Sequence, residues 1–75
     1  MGKLPRLTSK TLIKILESLG FALDHSTGSH HIFYNVKTKR RAVVPFHTKE
    51  LPKGTIMAIL RESGITKKEL EDFFN

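Results

Sequence analysis

Residues 21–47 read FALDHSTGSHHIFYNVKTKRRAVVPFH, and the fold turns on whether this stretch is extended. It is rich in β-branched and aromatic residues and is broken twice, at Gly28-Ser29 and at the polar run from Lys37 to Arg41. That pattern predicts three short strands joined by tight turns. FALDHST alternates Phe21, Leu23 and His25 against Ala22 and Asp24; HHIFYNV is the second strand and RAVVPFH the third. KTKRR reads as a cationic hairpin loop. Pro45 argues for an edge position or a strand end, because proline cannot donate to a sheet ladder. The three strands are expected to form an antiparallel meander.

Helical periodicity flanks this stretch on both sides. From Thr8 to Gly20, TSKTLIKILESLG spaces Leu12, Ile13, Ile15, Leu16 and Leu19 along one helix face, with Thr8 or Ser9 as N-cap and Gly20 as the stop. LPKGTIMAILRESG, from Leu51 to Gly64, places Ile56, Ile59 and Leu60 on one face. Thr66 to Glu69 reads as a capping box that opens a short helix with Leu70, Phe73 and Phe74 as its apolar side. The predicted fold is α+β, in the order α-β-β-β-α with a three-stranded antiparallel sheet and a short extra C-terminal helix. One domain is expected over 1–75, with its core in 8–65 and the last helix in 66–74. A chain of this size buries only about 60% of the surface it exposes unfolded. Most of Phe21, Phe33, Phe46, Phe73 and Phe74 are therefore assigned to the core.

Composition narrows the function classes. With 39% apolar and 27% charged residues, the chain is expected to fold. Cysteine is absent, so no disulfide or thiolate metal site holds the fold, which fits a reducing compartment. No stretch approaches the ~20 apolar residues of a membrane span, and the expectation is a soluble cytoplasmic protein with no membrane partner. The formal net charge is +6. Most of the cations lie in residues 1–49, where Glu17 and Asp24 are the only acids. Such a bias suits a polyanion, since phosphate neutralisation releases counterions; an acidic protein is the other candidate.

Within TGSHHIF, residues 27–33, two histidines follow a turn. Successive strand residues point to opposite faces, so His30 shares a face with Ile32, Tyr34 and Val36, and His31 with Phe33 and Asn35. Both are consistent with ordinary strand residues beside a turn. Imidazole also exchanges protons near neutral pH, which suits it to removing a 2′-hydroxyl proton or protonating a leaving 5′-oxygen in RNA cleavage. Metal chemistry has thin support. Glu17, Glu62, Glu69, Glu71 and Asp72 fall on helices, leaving Asp24 and Glu50 near the strands, too few for a two-metal nuclease. A zinc site built from His25, His30, His31 and His47 is disfavoured by the strand alternation. No metal and no small-molecule cofactor is expected. Lys37, Lys39, Arg40, Arg41 and Lys53 are the candidate phosphate contacts, Lys53 because it sits near a helix start, where free N–H groups favour an anion.

The helix ending LGF, then GSH, then a strand, then VVPFH, then KELPKGTIMAILRESGI together resemble the HicA-type toxins of toxin-antitoxin pairs, over about Thr8 to Ile65. The resemblance implies a double-stranded-RNA-binding-domain-like fold. It implies an mRNA interferase, a ribonuclease that cuts messenger RNA without a bound metal and is held inactive by a HicB-type antitoxin. The histidine directly after Gly-Ser is catalytic in that family, which carries the role to His30, with Gly28 and Ser29 shaping the site. His47, in VPFH, matches a position where histidine is frequent, and His47 or His31 is the candidate proton partner. A noncatalytic RNA-binding module of the same fold is the alternative. A DNA-binding regulator ranks lower, since no helix-turn-helix spacing is apparent.

Overall fold

The computed structural model describes residues 6–46 and 49–74. Its elements are α1 (Ser9–Ser18), β1 (Ala22–Thr27), β2 (His30–Asn35), β3 (Arg40–Pro45), α2 (Lys53–Ser63) and α3 (Lys67–Phe73). The order is the α-β-β-β-α expected from the sequence, with the extra C-terminal helix. The strands form one antiparallel sheet in the order β1-β2-β3, so β2 is central and β3, which ends at Pro45, is an edge.

Thr8 is the N-cap of α1, its side chain accepting from the Thr11 amide. The helix stops where Gly20 takes φ 96°, a conformation that costs an L side chain about 1–2 kcal/mol. Leu12, Ile15 and Leu16 are fully buried, and burying each contributes roughly 1.5–3 kcal/mol. They meet Phe33 of β2, Ala42 and Val44 of β3, and Ile56, Ile59 and Leu60 of α2 in one core. Both helices pack on the β3 side of the sheet. Thr66 and Glu69 close the capping box of α3, with Thr66 N–H donating to Glu69 Oε1 at 2.9 Å and Glu69 N–H to Thr66 Oγ1 at 3.1 Å. Leu70 anchors that helix at full burial.

Four expectations are corrected. The loop is shorter than KTKRR: Arg40 opens β3 together with Arg41, the expected first residue of the third strand, pairing with Asn35 and Tyr34, and the turn proper is residues 36–39. Phe46, Phe73 and Phe74 are exposed rather than buried. Phe73 and Phe74 lie at the end of α3, beyond its one buried position, and pack edge-on against each other. Val36 leaves the second strand and is 72% exposed in the turn. Finally, the alternation through β1 is interrupted: Leu23 pairs with Phe33 but His25 pairs with Ile32, with Asp24 as the extra residue of a bulge. Leu23 and His25, expected on one face, lie on opposite faces.

Asn35 ties the two ends of this frame together. Its Nδ2 donates to Leu19 O at 3.1 Å, and its Oδ1 accepts from the amides of Lys37 and Thr38 at 2.9 and 3.2 Å. A Cβ on Gly20 would stand 3.2 Å from Asn35 Nδ2, so a larger residue would press on this amide and push it aside by a few tenths of an ångström. One buried side chain thus holds the end of α1 to the β2–β3 turn.

Candidate functional site

Gly28 and Ser29 form the whole loop between β1 and β2. Gly28 has φ 59° while Ser29 does not have positive φ, which is the glycine-first pattern of a two-residue hairpin loop. A Cβ on Gly28 would meet nothing within 4 Å. Backbone conformation therefore demands the glycine there, and the turn presents bare main chain to the outside. The ladder continues one step past β3, where the Phe46 amide donates to Ser29 O at 2.6 Å. The turn is thereby pinned to β3 as well as β1.

His30 is the first residue of the central strand, paired with Thr27 on one side and Pro45 on the other, and it is exposed. The alternation expected from the sequence holds through β2: Phe33 and Asn35 are buried against the helices, and His31 shares their face. His30, Ile32 and Tyr34 occupy the face turned away from the helices. His31 pairs with Val44 and packs its ring on Phe46, with centroids 4.9 Å apart. Its Nδ1 is buried and makes no hydrogen bond among the described residues. The two adjacent histidines are thus separated by the thickness of the sheet. His47 lies outside the described residues.

The candidate cations divide between the two ends of the sheet. At the His30 end, Ser9 Oγ donates to Pro45 O at 2.6 Å, and Thr8 bridges to Glu50, so α1 and α2 both begin there, Lys53 being the first residue of α2. Lys37 and Lys39 sit in the turn after β2, the length of that strand away, roughly 17 Å at ~3.4 Å per residue. Arg41 lies beside Tyr34 on the His30 face, also toward the far end. Arg40 turns instead to the end of α2. Its Nη1 reaches Glu62 O at 3.5 Å and its Nε lies 3.4 Å from where a Cβ on Gly64 would be, a cation against the negative end of a helix. Gly28, Ser29 and His30 thus follow one another at the end of the sheet where α2 begins with Lys53, although His30 is on the face turned away from that helix, and Lys37, Lys39 and Arg41 lie toward the other end.

One residue on this face, His25, is weighed in the sequence only as a zinc ligand and is expected on the face of Leu23. The bulge at Asp24 pairs it with Ile32 and so turns it to the His30 side. Its Nδ1 lies 2.7 Å from Asp24 Oδ2. The adjacent Asp-His pair is visible in the sequence, but an unbroken alternation assigns His25 to the face of Leu23, and nothing local announces the bulge. Among the described residues, no group of three or more His, Cys, Asp or Glu side chains is placed to hold a metal ion. No helix of the described residues is long and apolar enough to cross a membrane.

Comparison with known proteins places this arrangement. The family model described as the HicA toxin of bacterial toxin-antitoxin matches residues 9–65, well over half of the chain and the whole of the sheet with the two helices that cover it. No curated protein matches the chain.

Proposed function

Because this chain belongs to the HicA family of toxins from bacterial toxin-antitoxin pairs, we propose that it is an endoribonuclease that cuts messenger RNA without a metal, with His30 as a proton-transfer group. The observation that carries the reading is the position of His30: exposed, first in the central strand, and beside a two-residue turn in which Gly28 carries no side chain. A phosphodiester can approach Gly28-Ser29 closely, since no side chain stands on Gly28. RNA cleavage by the neighbouring 2′-hydroxyl needs that proton removed and the 5′-oxygen protonated as it leaves. An imidazole performs either task near neutral pH. Lys53 stands at the same end of the fold to meet phosphate charge, and Lys37, Lys39 and Arg41 hold the strand of RNA farther along. His47, which lies outside the described residues, is the partner that the family resemblance offers to His30, while His31 is on the opposite face of the sheet.

The net charge of +6 also supports an acidic antitoxin of HicB type as the protein partner in the cytoplasm, since complementary charge speeds association. Incubating the purified protein with messenger RNA in EDTA, beside His30→Ala, tests the reading. Wild type is expected to cut, and His30→Ala to be slower by about 10²- to 10⁴-fold. Equal cutting by both proteins, or none by either, refutes it.

A further inference from the structure

We propose that His25, oriented by Asp24, is the proton acceptor that works opposite His30. The proposal rests on the ribonuclease reading and supplies the second proton carrier that the reaction requires. Three observations carry it. Register puts His25 beside Ile32 and Thr27 beside His30, so the two histidines share the face away from the helices. They are diagonal neighbours on adjacent strands, with backbone positions about 7–8 Å apart, a span across which two imidazoles can bracket one phosphate. The second observation is the bulge itself: one extra residue, Asp24, is what re-aims His25, and bulges do this beside active sites. The third is that His25 Nδ1 lies 2.7 Å from Asp24 Oδ2 with both side chains more than half exposed. A proton on Nδ1 donated to the carboxylate leaves the Nε2 lone pair free to accept, and the carboxylate steadies the imidazolium that forms.

The other groups on this face do not compete for the task. Thr27 and Pro45 flank His30, Ile32 lies beside His25 with Val43 beyond it, and Tyr34 with Arg41 lies a row farther on. His31 is on the opposite face. In the step assigned here, His25 Nε2 takes the 2′-hydroxyl proton as O2′ bonds to phosphorus. The bond from phosphorus to O5′ breaks, and the His30 imidazolium gives its proton to O5′. The products are a 2′,3′-cyclic phosphate end and a 5′-hydroxyl end. His25 is left protonated and His30 neutral, and exchange with water restores both.

The test uses an oligoribonucleotide spanning a site cut by the wild-type protein, and a second copy whose 5′-bridging oxygen at that site is sulfur, a leaving group that needs no proton. Wild type is expected to cut both. His25→Ala is expected to lose about 10²- to 10⁴-fold on both substrates, whereas His30→Ala loses as much on the oxygen substrate and is rescued on the sulfur one. Asp24→Asn, as a change in a positioning residue, is expected to lower kcat about tenfold and leave KM unchanged. His25→Gln, read with circular dichroism, guards against a folding artefact at this exposed strand position. If wild type and His30→Ala behave as expected but His25→Ala cuts within a fewfold of wild type, the pair is wrong and the ribonuclease reading stands. Rescue of His25→Ala by sulfur, or loss of cutting in His47→Ala but not in His25→Ala, also overturns the assignment. A wild-type protein that leaves RNA intact overturns the ribonuclease reading and the pair with it.

Discussion

Replacing Asn35 with alanine is expected to destabilise the fold by roughly 2–4 kcal/mol, and the figure follows from its three hydrogen bonds. The bond from Nδ2 to Leu19 O, at 3.1 Å, is made by a side chain only 4% exposed. Its loss strips a partner from a carbonyl at the end of α1 and costs about 1–2 kcal/mol. The Lys37 and Thr38 amides lie in an exposed turn, where water replaces Oδ1, so each contributes about 0.5–1 kcal/mol. A domain of this length has a total stability on the order of 4–11 kcal/mol, so the loss is a large share of the whole. Urea unfolding followed by far-ultraviolet circular dichroism should show a lower midpoint at an unchanged slope. The melting temperature should fall by about 8–30 °C. Asn35→Asp separates the contributions: it keeps both acceptor bonds, loses the donor, and sets a carboxylate against the Leu19 carbonyl, for an expected cost of about 1–3 kcal/mol. A loss below about 0.5 kcal/mol for Asn35→Ala would refute the claim that this residue joins helix to turn.

Other expectations follow from single observations. Lys39 has φ 63°, and Lys39→Gly should raise stability by about 0.5–1 kcal/mol in the same unfolding assay by relieving left-handed strain. Thr66→Ala removes the side-chain half of the capping box, the hydroxyl that accepts from Glu69 N–H, and should cost about 1 kcal/mol, with faster amide exchange confined to α3. Lys37→Ala, Lys39→Ala and Arg41→Ala should weaken RNA binding and each reduce the salt slope by about 0.7, the single-strand value. Cleavage at saturating RNA should stay unchanged, because these residues lie toward the far end of the sheet from His30. Arg40→Ala, by contrast, should leave the salt slope unchanged and show its effect in unfolding, since that guanidinium is turned to the end of α2.

Much of this protein is legible in one dimension because its signals are local. Leu12, Ile15 and Leu16 announce a helix by spacing, Gly28-Ser29 a hairpin, and Thr66 with Glu69 a helix start, and each depends on residues within a few positions of one another. The opposite faces of His30 and His31 follow from alternation alone, because both sit in the central strand, where pairing on both sides holds the register. The strand at the edge was less readable. His25 was misplaced because a bulge is decided by how β1 aligns with β2, not by the residues of β1. Aromatic content does not reveal that Phe46 lies past the end of β3, or that Phe73 and Phe74 lie past the one buried position of α3, so it places them in a core they do not enter.

The order of elements, the cysteine-free cationic character, the Gly-Ser turn before His30 and the family to which the chain belongs are all written in the linear chain. These are properties of composition and short-range spacing, which survive without knowledge of distant contacts. Which charged and titratable groups share a surface depends instead on the folded arrangement of strands and helices. That arrangement drew Arg40 away to a helix end, set Lys37 and Lys39 a strand's length from His30, and, through one extra residue at Asp24, turned His25 to the face of His30. The physical reason is that a side chain's face depends on strand register, and register is fixed by pairing with another strand, so one inserted residue reverses it.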